Sequence, residues 1–200
     1  MTAKQVSESF SNVTTDLALA SRDGLPDALR VLLAEYPRAI WETDPGFDGL
    51  IRFWLDRHMM FRRVMVDMQE DARRLVDAKL EPAQYASRLS RYGGMFVNGL
   101  HEHHTIEDTH YFPKLSTKDP RIAGGFAILD KDHHDLDEHL NAFVASANGI
   151  LQARDKREVM QTLVGKFEAD MSVLERLLDR HLNDEEELIV PVILKFGDPN

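Results

Sequence analysis

Residues 103–113, HHTIEDTHYFP, contain a pattern that returns at residues 181–191, HLNDEEELIVP. Each stretch has His, three residues, Glu, an acidic residue, four more residues and Pro. Side chains four residues apart project from one face of an α-helix, so the His and the Glu of each copy can reach one point. Imidazole nitrogen and carboxylate oxygen together suit a transition metal such as Fe, Zn or Mn. The two pairs are His103 with Glu107, and His181 with Glu185.

Two further histidines lie on apolar stripes. His58 has Ile51, Trp54, Phe61 and Met65 at helical spacing, and His133 follows Phe126 and Leu129 in the same way. One inward histidine is more often a hydrogen-bonded core residue than a ligand. Four inward histidines and two carboxylates would be costly to bury unpaired, and together they favour a metal centre. The candidate ligands are His58, His103, Glu107, His133, His181 and Glu185.

Apolar residues recur at helical spacing through four long segments. The predicted helices span residues 48–79, 83–110, 121–152 and 156–188. Short connections and the lack of alternating strand patterns predict an all-α protein, an up-and-down four-helix bundle. Each half has an inward histidine followed by a His–Glu pair, which suggests two related half-sites and two metal ions.

The N-terminal residues have a different pattern. Val6, Phe10, Val13 and Leu17 form one short stripe, and a second short stripe around Leu32 follows Gly24 and Pro26. We expect a short helical appendage at residues 1–45, ahead of a bundle at residues 46–195. The appendage would pack on the bundle or on another subunit, such as a homodimer partner or a different protein.

The totals exclude several classes of protein. The chain has 200 residues, of which 43% are hydrophobic, and this fits one core-forming domain with an appendage. The net charge of −10 argues against nucleic acid or an anionic membrane as the main partner. The absence of cysteine excludes thiolate ligands and a thiol nucleophile. Because no segment resembles a secretion signal or a membrane span, we expect a cytoplasmic protein.

With these motifs, residues 48–193 resemble the haemerythrin-like, or HHE cation-binding, family. The resemblance implies a four-helix bundle that holds a non-haem di-iron centre, with terminal histidines and two bridging carboxylates. Carried over by position, it implies that the six candidate ligands named above hold two iron ions. It also implies a protein that binds or senses O2, nitric oxide or peroxide. The donor types alone do not distinguish iron from zinc or manganese.

The sequence departs from oxygen-carrying haemerythrin in two places. On the third helix that protein has two histidines four residues apart, whereas here Asp137 stands four residues after His133. On the fourth helix the carboxylate comes four residues after the histidine, not five as in the oxygen carrier, unless Glu186 is used. Asp137 and Glu186 are therefore candidates for extra ligands, and the departures argue against reversible oxygen transport. A different phase of the second helix would replace His103 and Glu107 by His104 and Asp108.

Three other hypotheses compete with a di-iron protein that binds or senses a small ligand. One is an enzyme that consumes peroxide or nitric oxide at the same centre, and another is an iron-responsive regulatory protein that uses residues 1–45 as a contact. The last alternative hypothesis is a helical bundle without metal.

In every case we expect Trp54 to be a packing residue and the acidic run 184–187 to be solvated, apart from Glu185. His110 is expected to cap the helix near Pro113 or to line the end of the site. The other histidines are expected on the surface or in packing roles, namely His101, His104, His134 and His139.

Overall fold

The computed structural model describes residues 17–47 and 49–199. Within these ranges the regular structure is helical and contains no strand, which confirms the all-α class. No helix there is long and apolar enough to cross a membrane. The predicted stripe of Val6, Phe10 and Val13 lies outside the described residues.

Four long helices form the body of the protein. Helix α2 (Gly49–Val76) packs against α3 (Pro82–Ile106) and α6 (Arg157–Phe196), and α5 (Ala123–Gln152) packs against the same two helices. The order is α1 (Leu32–Glu35), α2 (Gly49–Val76), α3 (Pro82–Ile106), α4 (Phe112–Leu115), α5 (Ala123–Gln152) and α6 (Arg157–Phe196).

Two helix ends differ from the prediction at the repeated motif. In the first copy, α3 ends at Ile106 and continues as a π-helical turn, Glu107–Tyr111, before α4. In the second copy, α6 runs through Pro191 to Phe196 instead of ending near residue 188. Proline inside a helix removes one backbone hydrogen bond. Here Pro191 is buried between Val190 and Val192, so core packing offsets that loss.

A polar layer divides the apolar core into two clusters. One cluster includes Phe61, Leu100 and Leu178, and the other includes Ile51, Leu129 and Leu188. The predicted ligands come between these clusters along all four long helices. The helices therefore bring them to one level, with apolar packing on both sides.

The described part of the N-terminal segment, residues 17–47, packs on the bundle. It contains α1 and two 3-10 turns, Asp27–Leu29 and Arg38–Thr43, which contact α5 and α6. Leu25, Leu32 and Trp41 are buried in the second core cluster. This is the first of the two packing alternatives, and the division into domains at residue 45 stays a prediction.

Candidate metal centre

Seven buried side chains in the polar layer form two adjacent groups of possible metal ligands. We call His104, His133 and His181 the histidine group. The mixed group consists of His58, His103, Glu107 and Glu185. Within each group, one donor atom per residue lies within 4.8 Å of the others.

The structure brings together all six predicted candidates and adds His104. His104 is only 4% exposed, and its ring stacks on that of His133 at 3.9 Å between centroids. His104 is therefore not a surface residue. The alternative phase of the second helix would have replaced His103 by His104, but both histidines point inward, one into each group. Two groups side by side can use two adjacent residues of one helix.

Both carboxylates of the mixed group also lie close to a histidine of the histidine group. Glu107 Oε1 is 2.9 Å from His103 Nε2 in the mixed group, while its Oε2 is 3.5 Å from His133 Nε2 in the histidine group. Glu185 Oε2 is 3.5 Å from His58 Nε2 and 3.6 Å from His181 Nε2. Each carboxylate is therefore close enough to serve cations in both groups.

Local helix geometry produces this arrangement. The four-residue spacing in α3 brings His103 and Glu107 together, and α6 does the same for His181 and Glu185. The π-helical turn starts at Glu107, directly after the two histidines. Such turns occur often at functional sites, because one extra residue changes the direction of the side chains that follow.

Three histidines have a carboxylate on the ring nitrogen that faces away from the centre. The Nδ1 atoms of His58, His133 and His181 lie 3.0, 2.8 and 3.4 Å from carboxylate oxygens of Glu186, Asp108 and Asp132, respectively. A carboxylate at Nδ1 holds the proton there and leaves Nε2 free to bind a metal. Outer partners of this kind also make the imidazole a stronger donor.

These contacts correct several expectations. Glu186 and Asp108 belong to neither ligand group and contact histidines from outside, and Asp137 also lies outside both groups. The buried acid on α5 is instead Asp132, the neighbour of His133, which was not singled out in the sequence.

Two expectations about packing and solvation are also wrong. Asp184, Glu185 and Glu186 are all buried, so the acidic run is not a solvated face. Trp54 is more than a packing residue, because its Nε1 donates to Glu185 Oε1 at 2.5 Å.

The four remaining histidines are exposed, namely His101, His110, His134 and His139.

Burial shifts the protonation of the centre toward neutral groups. It raises the pKa of Glu107 and of Glu185 to about 8. It lowers the pKa of His103 to about 4 and that of His181 well below its ordinary value. For Glu186, burial alone would raise the pKa, but the hydrogen bond with His58 and the charge of Arg62 outweigh it and lower the pKa to about 2.

The centre also contains unpaired polar atoms. Within the part of the chain that the structure describes, both ring nitrogens of His104 are buried without a hydrogen-bond partner, as are Nε2 of His133 and of His181 and Oε2 of Glu185. An unpaired buried polar group costs roughly 1–3 kcal/mol. Several such groups in one region fit a site that cations complete, since each neutral imidazole has one nitrogen lone pair for a metal and a carboxylate oxygen can donate likewise.

A family comparison agrees with this geometry. The model of the hemerythrin HHE cation-binding domain matches residues 49–193. The chain belongs to this family. The match covers α2, α3 and α5, most of α6, and all seven residues of the two groups in this HHE domain. No curated protein and no solved structure matched the chain.

A surface cavity leads to the mixed group of the HHE domain. It has a volume of about 310 Å³ and reaches His103 and Glu107. The other walls are mostly apolar or aromatic, with one guanidinium and one further carboxylate, and are formed by Leu50, Phe53, Trp54, Arg57, Glu102, Ile106 and Tyr111. The cavity gives a small molecule a route to one side of the centre.

Proposed function

We propose that this HHE-domain protein is a cytoplasmic non-haem di-iron protein that binds or senses O2, nitric oxide or peroxide. The supporting observation is the pair of adjacent donor groups with Glu107 and Glu185 between them. In this proposal an up-and-down four-helix bundle presents the donors from all four long helices. Residues of the histidine group hold one ion, those of the mixed group hold the other, and the two carboxylates bridge them.

Iron bound in this way would supply an open coordination position and electron exchange with a small ligand. The chain itself supplies neutral histidines, because burial keeps the pKa of His103 and of His181 low. Trp54 orients Glu185 through its Nε1–H, and the apolar clusters above and below exclude bulk water. A dry, preorganised set of donors favours ligand binding at the metals over acid–base catalysis by side chains.

The first test is metal analysis of the purified full chain, followed by absorption spectra with and without azide. We expect about two iron ions per chain and a new visible band on azide addition, because two complete donor groups are present. Zinc or manganese at the same ratio would support the site but change the cofactor. A protein that binds no metal after anaerobic reconstitution would contradict the proposal.

An enzyme that consumes peroxide or nitric oxide is the second candidate. The cavity beside His103 and Glu107 favours it, since turnover needs repeated access of a small substrate. Oxygen evolution after addition of peroxide separates the two functions. Turnover no faster than that of free iron would leave the binding or sensing function alone.

A further inference from the structure

The N-terminal segment reaches the outer carboxylates of both donor groups. We call residues 17–47 the strap. Its three arginines, Arg22, Arg30 and Arg38, are evenly spaced eight residues apart, and each pairs with acids of the helical body. Two of these arginines contact an acid that also holds a histidine of the centre.

Arg22 forms the more buried of the two connections. Its side chain is 1% exposed, its Nη1 donates to Asp132 Oδ1 at 2.8 Å, and its Nη2 contacts Asp132 Oδ2. Its Nε donates to Asp184 Oδ2 at 2.8 Å. Asp132 Oδ2 in turn lies 3.4 Å from His181 Nδ1. The guanidinium thus fixes the carboxylate that orients a member of the histidine group.

Arg38 forms a parallel connection to the mixed group. Its Nη1 donates to Glu186 Oε2 at 2.7 Å, and Glu186 Oε1 lies 3.0 Å from His58 Nδ1. This connection is less buried, because the Arg38 side chain is 40% exposed. It is also shared, since Arg62 Nη1 donates to the same Glu186 Oε1 at 2.8 Å.

We infer that Arg22 and Arg38 are positioning residues for the metal centre, so that docking of the strap and binding of metal stabilise each other. This inference rests on the proposed function. Without Arg22, the buried carboxylate of Asp132 loses its cationic partner and no longer holds the His181 ring in one orientation. Coupling between two binding events is reciprocal, so bound metal also favours the docked strap.

The strap provides a reporter of its own docking, the Leu25 amide, and a control position for the substitutions, Arg30. The amide of Leu25 donates to Asp184 Oδ1 at 3.1 Å, so its hydrogen exchange follows docking of the strap. Arg30 pairs with Asp27 and Glu187, neither of which contacts a histidine of the centre. Glu187 also accepts a hydrogen bond from Arg38 Nε at 3.3 Å. Arg30→Gln removes one strap ion pair but leaves the contacts of Arg22 with Asp132 and of Arg38 with Glu186 in place.

The experiment uses the full chain and Fe(II), with apparent affinity measured anaerobically by competition with a chelator. We expect Arg22→Gln to lose roughly 10-fold in Fe(II) affinity, the lower end of the effect of removing an outer partner of a ligating histidine, because Arg22 acts on His181 through Asp132. Arg22→Lys keeps the charge but cannot bind two carboxylates as a fork, so it recovers only part of the loss. Arg38→Gln loses less than Arg22→Gln, and Arg30→Gln stays at the wild-type affinity.

Exchange at Leu25 in the wild-type protein tests the coupling without a substitution. We expect exchange to slow when Fe(II) is bound, and this measurement together with Arg22→Lys decides the question if Arg22→Gln does not fold. Folded Arg22→Gln with wild-type Fe(II) affinity would overturn the inference while leaving the proposed function intact. So would iron binding that leaves exchange at Leu25 unchanged. A wild-type chain that binds no metal would overturn both.

Discussion

The two donor groups are built from different residues and have different surroundings. The histidine group has three imidazoles, two of which have an outer acid at Nδ1, and it lies beneath the strap arginine Arg22. The mixed group has two imidazoles and both carboxylates, and it borders the cavity at Trp54 and Ile106. The first group is enclosed, whereas the second is accessible.

This difference assigns separate tasks to the groups. The enclosed histidine group is suited to holding an ion without exchange with solvent. The mixed group carries the anionic donors and the route for a small molecule, so it is suited to ligand binding. The shared carboxylates, Glu107 and Glu185, link the two tasks.

The largest expected effect comes from the shared carboxylates. Replacing both Glu107 and Glu185 by Ala removes donors from both groups, and we expect iron content to fall from about two ions per chain to near zero. His181→Ala affects mainly the histidine group, and we expect about one ion to remain. Metal analysis after reconstitution measures both results.

His134→Ala is the matched control for these variants. His134 follows His133 in α5 but is exposed, and its Nδ1 contacts only the backbone oxygen of Asp130. It should keep the full iron content. If the double carboxylate variant kept two ions, the carboxylates would not be shared donors and the comparison of the two groups would fail.

The second effect is on thermal stability. Bound iron pairs the orphaned atoms of His104, His133, His181 and Glu185, so its removal should destabilise the fold. At a free metal concentration 1,000 times Kd, binding adds about 4 kcal/mol, which for this size of chain raises Tm by roughly 10 °C. Calorimetry with and without a chelator measures the shift. An unchanged Tm in a chain that binds iron would contradict it.

The fold and most of the centre could be predicted from the sequence because they depend on helical spacing. His58 and His133 lie on apolar stripes, and the two His–Glu pairs repeat the same spacing, so their burial followed from periodicity alone. The same reasoning predicted the four long helices. These features are local, and local pattern is what a single sequence records most directly.

The residues that were missed depend on contacts between helices. A helix with one inward face can use His103 or His104, and only two groups side by side explain both. Asp132 and Arg22 lie far apart in the chain, and their pairing follows from how the strap docks. The acidic run on α6 would be solvated on an isolated helix. Here Asp184 and Glu186 are buried against Arg22 and Arg38 of the strap. Glu185 is buried because it faces the centre, where it contacts Trp54.

The third effect is a pH dependence of metal affinity, which the two shared carboxylates produce. Burial raises the pKa of Glu107 and of Glu185 to about 8, so at pH 7 each holds a proton in the metal-free chain. Metal must displace these protons, and affinity should therefore fall by roughly tenfold per pH unit for each proton displaced below pH 8. His103, with a pKa lowered to about 4, does not compete in this range.

Calorimetric titration with Fe(II) in buffers of different ionisation enthalpy counts the released protons. We expect release at pH 7 and little release at pH 9. In Glu107→Gln the release should decrease, because the amide carries no titratable proton. Glu186→Gln is the control, since the pKa of Glu186 is lowered to about 2 and it is ionised throughout. Equal release in wild type and Glu107→Gln would assign the protons to other groups.

The smallest effect concerns access to the mixed group through the cavity. Ile106 lines it and is 45% exposed, so Ile106→Trp narrows the route without disturbing the core. We expect slower azide binding to the iron-loaded chain in stopped-flow absorption, with unchanged iron content. Val159→Trp is the control, because Val159 is similarly exposed at 48% but lies on α6 away from the cavity. Equal rates in the two variants would mean that ligands reach the metals by another route, and the mixed group would no longer be the accessible one.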